Sequence, residues 1–363
     1  MKVGLVLGAG GVQGGAWLTG ALDALATETG WDPMEADRIV GTSAGAMIGA
    51  IVSAGVPVWF MVAHSAGENL TGLTDARGEP ASEADRSAGA RYLLAGLPIW
   101  PGSWRLALAT TTNPGRFPPS ALSAGWLPRG FISTEPLKDT VRRAIGQHGW
   151  SPHPALRIVA CDYATGRRVV FGSRRAPKAE LADAVAASCA IPGFYKPVEI
   201  DGRLYVDGGI WSTSNLDLLR DRDFDLVISL NPTSSLHPTR AWNPLEWVSG
   251  VVRRGTGRRL GHEARMLREQ GTDVLLVQPT AEDLDSMGPN LMSTRNRHAT
   301  LELARRTTAE QLRRPEVRES LADLPKARRP EKVYRPPGPP ETWPARTVSE
   351  LRPGAPAYET GVG

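Results

Sequence analysis

Short apolar runs alternate with longer amphipathic stretches along most of the chain. Residues 3–7 (VGLVL) are wholly apolar, the length and pattern of a buried strand. The opening MKVGLVLGAGG therefore reads as a first strand rather than a signal segment. Glycine-rich sequence from Gly8 to Gly15 predicts a turn, and the apolar spacing of AWLTGALDALA predicts a helix over Ala16–Ala26. A second strand ending at Arg38–Val40 leads into a helix over Thr42–Ser53. Further on, Leu156–Cys161, Val169–Phe171, Leu226–Leu230 and Val274–Val277 read as strands, the last two buried, with helices over Pro136–Ile145 and Glu180–Ser188. This alternation predicts an α/β fold: a mostly parallel central sheet flanked by helices.

Three stretches depart from the alternation. Ile39–Ala63 is twenty-five residues without a charge, long enough to span a bilayer. Gly41, Gly45, Gly49, Gly55 and Pro57 interrupt it, however, so a buried strand–turn–helix is expected and no transmembrane span. Residues 68–131 are rich in Gly, Pro, Thr and Trp, the composition of an insertion or lid, and equally of a peripheral helical layer. From 325 the chain turns Pro-rich and basic. We expect one domain over 1–324, carrying 68–131 as its insertion, and an extended or partly disordered tail over 325–363.

With 41% hydrophobic and 22% charged residues, the 363-residue chain can bury a substantial core, which excludes disorder throughout. The net charge of +4 is too weak to argue for a nucleic-acid partner. Residues 313–335 hold eight Lys/Arg against four Asp/Glu, a surplus equal to that of the whole chain. The plain expectation is a solvated tail; the sharper one is contact with an anionic membrane surface. Two cysteines, Cys161 and Cys189, in apolar surroundings exclude a disulfide scaffold and point to a reducing, cytoplasmic setting.

Three motifs carry candidate chemistry. Gly8-Ala9-Gly10-Gly11-Val12-Gln13-Gly14 lies between a strand and a helix, where glycines let backbone amides gather at a helix N-terminus and favour negative charge. A dinucleotide fingerprint would need glycine at position 13, where Gln13 stands, so a Rossmann-type site is a weaker alternative. Gly41-Thr42-Ser43-Ala44-Gly45 is a G-x-S-x-G pentapeptide between strand and helix, the setting of a nucleophile elbow. Asp207-Gly208-Gly209 ends a strand-like run; its carboxylate can accept a serine proton if partial burial raises its basicity. A triad of Ser43, Asp207 and His237 would satisfy the order Ser–acid–His, but His237 lies in a polar loop without special surroundings. No spacing suggests a metal site.

In this order, GLVLGAGGVQGGAWLTGAL, GTSAGAMIGA and ASCAIPGFYKPVEIDGRLYVDGG (Ala187–Gly209) resemble the patatin-like phospholipase family in its bacterial branch. The similarity covers about residues 1–65 and 155–235. It implies a three-layer α/β sandwich and a serine acyl hydrolase, calcium-independent and without a cofactor, that cleaves phospholipid, lysophospholipid or acylglycerol esters. By position it makes Ser43 the nucleophile and Asp207 the residue that activates it. Backbone amides around Gly10, Gly11 and Val12 would form the oxyanion hole, with Gly8, Gly14, Gly41, Gly45, Gly208 and Gly209 shaping the chain around them. The family usually carries Arg or Lys where Gln13 stands; the lost charge implies a weaker field at the oxyanion loop or a changed headgroup preference. A catalytically silent lipid-binding protein is the alternative that Gln13 encourages and that the intact Ser43 and Asp207 oppose. The aromatics Trp100, Trp104, Phe117 and Trp126 are expected in an acyl-chain channel or on an interfacial surface.

Overall fold

The computed structural model describes residues 1–68, 73–75, 77–80, 91–146, 149–220, 223–234, 244–338 and 342–343, with side chains undescribed at 114, 119 and 244–254. The first half runs β1 (Val3–Leu7), α1 (Gly11–Thr29), β2 (Arg38–Thr42), α2 (Ala44–Ser53), α3 (Val58–Ala66), α4 (Trp104–Thr112), α5 (Pro119–Trp126), α6 (Glu135–Ile145), β3 (Leu156–Asp162) and β4 (Arg168–Phe171). The second half runs α7 (Leu181–Ser188), β5 (Val198–Ile200), β6 (Arg203–Asp207), β7 (Leu226–Leu230), α8 (Pro244–Arg268), β8 (Asp273–Val277), α9 (Ala281–Met287), α10 (Arg297–Leu312), α11 (Pro315–Ser320) and α12 (Pro330–Val333).

The strands form one sheet in the order β5-β6-β3-β2-β1-β7-β8, with β4 pairing β3 off this path. From β3 to β8 the pairing is parallel; β4, β5 and β6 pair antiparallel. The uninterrupted apolar runs are explained by burial on both faces. In β1, Leu5 and Leu7 join one core cluster while Val6 enters the other. Ile39 and Val40, and Ile228 and Val227, divide in the same way, as the two-residue period of a strand requires. The first cluster takes in α1, α2 and α7; the second is closed by Leu260, Ala264 and Leu267 of α8. The result is a three-layer sandwich, as the resemblance implied, with the mostly parallel sheet that the alternation of elements predicted.

Several local expectations change. The glycine turn is shorter than Gly8–Gly15, because α1 already begins at Gly11. Gly14 lies against Pro232 and Gly15 against Ala44, so close packing outweighs the poor helix propensity of glycine. Thr42 ends β2 instead of opening a helix. Val274–Val277 is only partly buried, since β8 is the edge strand. The uncharged run over 39–63 folds as β2, α2 and α3, with a bend of 117° between the two helices. Among the described residues no single helix is long and apolar enough to cross a membrane.

In the 68–131 stretch, α4 and α5 form a helical layer: Leu106, Ala121 and Ala124 pack on Cys161 and Tyr163 of the β3 region and Val206 of β6. Residues 325–338 lie against the body. Lys326 Nζ donates to Thr29 O (2.6 Å), buried Lys332 Nζ to Gly55 O (2.9 Å), and Trp343 meets Trp59 edge-on at 5.7 Å. Residues 344–363 of the expected tail fall outside the described residues.

A very close approach between layers occurs where α2 starts over the end of β1. A Cβ on Gly45 would stand 2.0 Å from Leu7 O. Gly45→Ala is therefore expected to destabilise the fold by about 3 kcal/mol. A urea midpoint equal to wild type would show that α2 can withdraw from β1 without loss.

Candidate active site

Ser43 sits between β2 and α2 with φ at 53°, a positive value that an L-residue adopts only when its surroundings impose it. Those surroundings are specific. The Ser43 amide donates to Ser188 Oγ (2.9 Å), and Ser188 Oγ in turn donates to Val159 O (2.6 Å). Cys189 Sγ donates to Ser43 O (3.2 Å), and the Gly45 amide donates to Gly8 O (3.1 Å). Just upstream, Asn215 Nδ2 donates to Thr42 Oγ1 (3.0 Å). The tight strand-to-helix turn is thus clamped by α7, β3 and the segment after β6.

Strand register brings Asp207 to Ser43. Thr42 pairs with Val159 in β3, and the next residue of β3, Ala160, pairs with Asp207 at the end of β6. Two positions 164 residues apart in sequence thereby reach the same level of the sheet, two strands apart. The Ser43 side chain and the Gly209 amide, which donates to Asp207 Oδ1 (2.7 Å), both favour the ionised Asp207 carboxyl. Burial outweighs them and pushes the Asp207 pKa up to about 6. Gly208 lies directly over Val159 O, which holds the turn after Asp207 against β3.

The glycine loop lies across from this pair. Amides of Gly8, Ala9, Gln13 and Gly14 are taken up by the carbonyls of Leu230, Thr213, Leu291 and Gly10 at 2.8–3.0 Å. Among the described residues, those of Gly10, Gly11 and Val12 have no such carbonyl partner, and they stand at the positive end of α1. Gly11 has φ at 61°, a left-handed conformation natural to glycine. Gly41 packs under Gly45 and Ala46, closing the elbow from below.

Ser43, Gly11 and Val12 all open onto one cavity of about 200 Å³. Its walls are mainly apolar: Met47, Ile48 and Ile51 of α2, Val56, and Phe60 and Met61 of α3. The charge-free run that passes the length test for a membrane span is therefore one wall of this cavity. Arg297, Arg143, Asp75 and His64 add polar groups to the lining, with His64 stacked on Phe60. The insertion aromatics are elsewhere. Trp100, Trp104 and Trp126 are exposed, and Phe117 packs in the α4–α5 layer. The channel part of that expectation is corrected: helices of the main body line the cavity.

The family model for patatin-like phospholipases matches residues 5–220. The chain belongs to this family. Relatives include uncharacterized NTE family proteins of Mycobacterium tuberculosis and Mycobacterium bovis, each 29% identical over 257 residues, covering 69% of this chain and 56% of the relative. The chain thus spans little more than half the length of the curated relatives it matches. The crystal structure of VipD from Legionella pneumophila is similar with a TM-score of 0.39 and 14% identity, covering 89% of this chain and 67% of that one.

Gln13, where the sequence resemblance leads us to expect Arg or Lys, is fully engaged in this patatin-like chain. Its side-chain amide donates to the carbonyls of Ser293 (2.9 Å) and Arg295, and its oxygen accepts from Thr300 Oγ1 (2.9 Å). The residue fastens the segment that brings Met292 and Arg297 to the cavity. Sequence reasoning also missed Glu263 of α8. Its buried carboxylate accepts from Ser212 Oγ (2.8 Å), the Leu216 amide (3.0 Å) and Arg259 Nε (3.0 Å). It thereby holds the 212–216 loop, whose Thr213 O receives the Ala9 amide and whose Asn215 grips Thr42. A lone glutamate 56 residues after Asp207 carries no pattern that announces this role.

Burial leaves both cysteines inert as nucleophiles, pushing Cys161 up to about 12 and Cys189 well above its ordinary value. His153 is spent on Ala36 O (2.8 Å), while His148 and His237 lie outside the described residues. Among the described residues no three His, Cys, Asp or Glu side chains converge to hold a metal ion.

Because the folded pKa of Asp207 is raised, its ionised form is penalised in the native state. The penalty is complete above pH of about 6 and fades as the pH falls towards the ordinary carboxylate value of 3.8. Asp207→Asn should therefore be more stable than wild type at alkaline pH, with the gap closing on acidification; urea midpoints across the range would show it, and a constant gap would refute it. Gln13→Ala removes the donor to Ser293 O and Arg295 O and the acceptor of the buried Thr300 hydroxyl, and is expected to cost about 1–3 kcal/mol. Hydrogen exchange should then rise first at residues 291–297; a uniform rise would deny Gln13 that local role.

Proposed function

We propose that this chain is a serine acyl hydrolase that cleaves carboxylic esters of lipids through Ser43 and Asp207. The observation that carries the reading is the placement of Ser43, at a constrained elbow and open to a largely apolar cavity, beside a buried carboxyl of raised basicity whose ionised form the Ser43 side chain favours. Family membership supports the same class of reaction.

The chemistry follows from these groups. As the Ser43 Oγ–carbonyl carbon bond forms, the hydroxyl proton passes to the Asp207 carboxylate and the carbonyl π electrons move onto oxygen. Amides at Gly10, Gly11 and Val12 receive that oxyanion; removal of one such donor typically costs about 3–4 kcal/mol of barrier. Collapse breaks the ester C–O bond, and Asp207 returns its proton to the leaving alcohol. Water then attacks the acyl-enzyme, giving its proton to Asp207, and the second collapse releases the acid and restores the Ser43 hydroxyl. A pKa near 6 suits Asp207 for both proton movements near neutrality.

The apolar walls favour a substrate with a hydrocarbon acyl chain. Gln13 is held by hydrogen bonds that fasten a neighbouring segment, so its lack of charge by itself is no ground for a silent protein.

A fluorophosphonate probe is expected to label wild type at Ser43 and to leave Ser43→Ala unlabelled. Esters of longer acyl chains should be hydrolysed faster than acetyl esters, with at least a hundredfold loss in Ser43→Ala. Labelling at another serine, or a strict preference for acetyl esters, would overturn the reading.

A further inference from the structure

Residues 91–134 contain Arg91, Arg105, Arg116 and Arg129 and not a single Asp or Glu. The same stretch carries most of the exposed large apolar side chains of the described residues: Leu97 is 89% exposed, Leu94 77%, Trp100 67% and Trp104 63%, joined by Leu108 and Trp126. Monomeric proteins seldom leave so many neighbouring large apolar groups in water without a use for them.

The backbone beneath these side chains is tied down. Ala95 N donates to Phe131 O (2.7 Å), Ser133 N to Leu93 O (2.7 Å), Arg129 N to Ile99 O (2.6 Å) and Gly102 N to Leu127 O (2.9 Å). These bonds tie residues 93–102 to 127–133, and Phe131 N and Ile132 N donate to Phe194 O of the body (3.1 and 3.0 Å), while apolar side chains face outward. Trp100 and Trp126 stand 6.3 Å apart, and Arg105 lies over the Trp104 ring at 5.4 Å. Paired tryptophans with arginine beside them suit the headgroup zone of a bilayer, where the ring sits at the apolar boundary and the guanidinium meets phosphate.

The platform also adjoins the cavity. The Tyr92 hydroxyl donates to Met292 O, and the Tyr92 ring meets Phe194 edge-on at 5.3 Å, with Phe194 on Tyr195 at 4.9 Å. Met292 and Tyr195 both line the cavity that holds Ser43. The basic segment over 313–335 is a poorer candidate for lipid contact. Arg313 pairs with Glu28, Arg335 with Glu68, and Lys326 and Lys332 bond backbone carbonyls of the body.

We propose that the 91–127 platform docks on an anionic bilayer surface, its leucines and tryptophans entering the interface and its arginines facing lipid phosphates, so that the cavity rim faces the membrane. The proposal adds to the hydrolase reading without resting on it, since docking requires no turnover.

Flotation of the full chain with vesicles of phosphatidylglycerol and phosphatidylcholine, against phosphatidylcholine alone, tests it. Wild type is expected to float with the mixed vesicles and much less with the neutral ones. Leu97→Ser/Trp100→Ser should lose at least tenfold in partitioning, and Arg105→Glu/Arg116→Glu should lose binding to the mixed vesicles in particular. Thermal midpoints should be unchanged, because these side chains lie in solvent. Hydrolysis of a soluble short-chain ester, which needs no bilayer, should persist in both variants and so separates a failed docking face from a failed catalytic site. Equal flotation of wild type and Leu97→Ser/Trp100→Ser would overturn the proposal, as would wild type that stays in the aqueous fraction. A dimer in sedimentation that these substitutions dissociate, without vesicle binding, would assign the face to a second copy instead.

Discussion

The site is organised by one close approach, the start of α2 resting on the end of β1. The Gly45 amide reaches Gly8 O at 3.1 Å, with no space for a side chain above Leu7 O. With the helix this near, the chain leaving β2 must reverse within one residue, and Ser43 takes the positive φ that such a reversal demands. The same contact sets the elbow beside the glycine loop, so that Ser43 and the α1 N-terminus share one cavity. The proposed nucleophile and amide donors are positioned by backbone packing, which is stiffer than any pair of side chains could be.

Asp207 is positioned by a different force. Ladder register across β2, β3 and β6 fixes its height, and burial sets its basicity. Behind both stands the 212–216 loop, anchored by Glu263 and joined separately to Ala9 and Thr42. The proposed catalytic groups therefore rest on a network of buried hydrogen bonds that reaches as far as α8. Such a network rigidifies a site when every member is satisfied.

Apolar surface divides between two tasks. The charge-free stretch over 39–63 turns inward as the wall of the cavity. Outward-facing apolar groups gather instead over 93–127, on α4, α5 and the segment before them, whose backbone hydrogen bonds are made largely within 91–134. An enzyme of lipid esters would use the first to receive a hydrocarbon chain and the second to approach its source.

Much was legible in the chain itself. Uninterrupted apolar runs such as 226–230 define strands buried on both faces, and GTSAG between strand and helix marks the elbow, because these are local consequences of period and glycine placement. The glycine loop was legible too, although its length was not: α1 already runs from Gly11, with Gly14 packed on Pro232 and Gly15 on Ala44, and such neighbours are invisible in sequence. The cavity walls, the support from Glu263, Ser188 and Asn215, and the bonds of Gln13 all depend on contacts between residues far apart along the chain. The sequence by itself marked the central strands, helices α1, α2, α6 and α7, and the residues that carry candidate chemistry. Tertiary structure alone decided which of them meet, since register and layer packing set distances that no local pattern encodes.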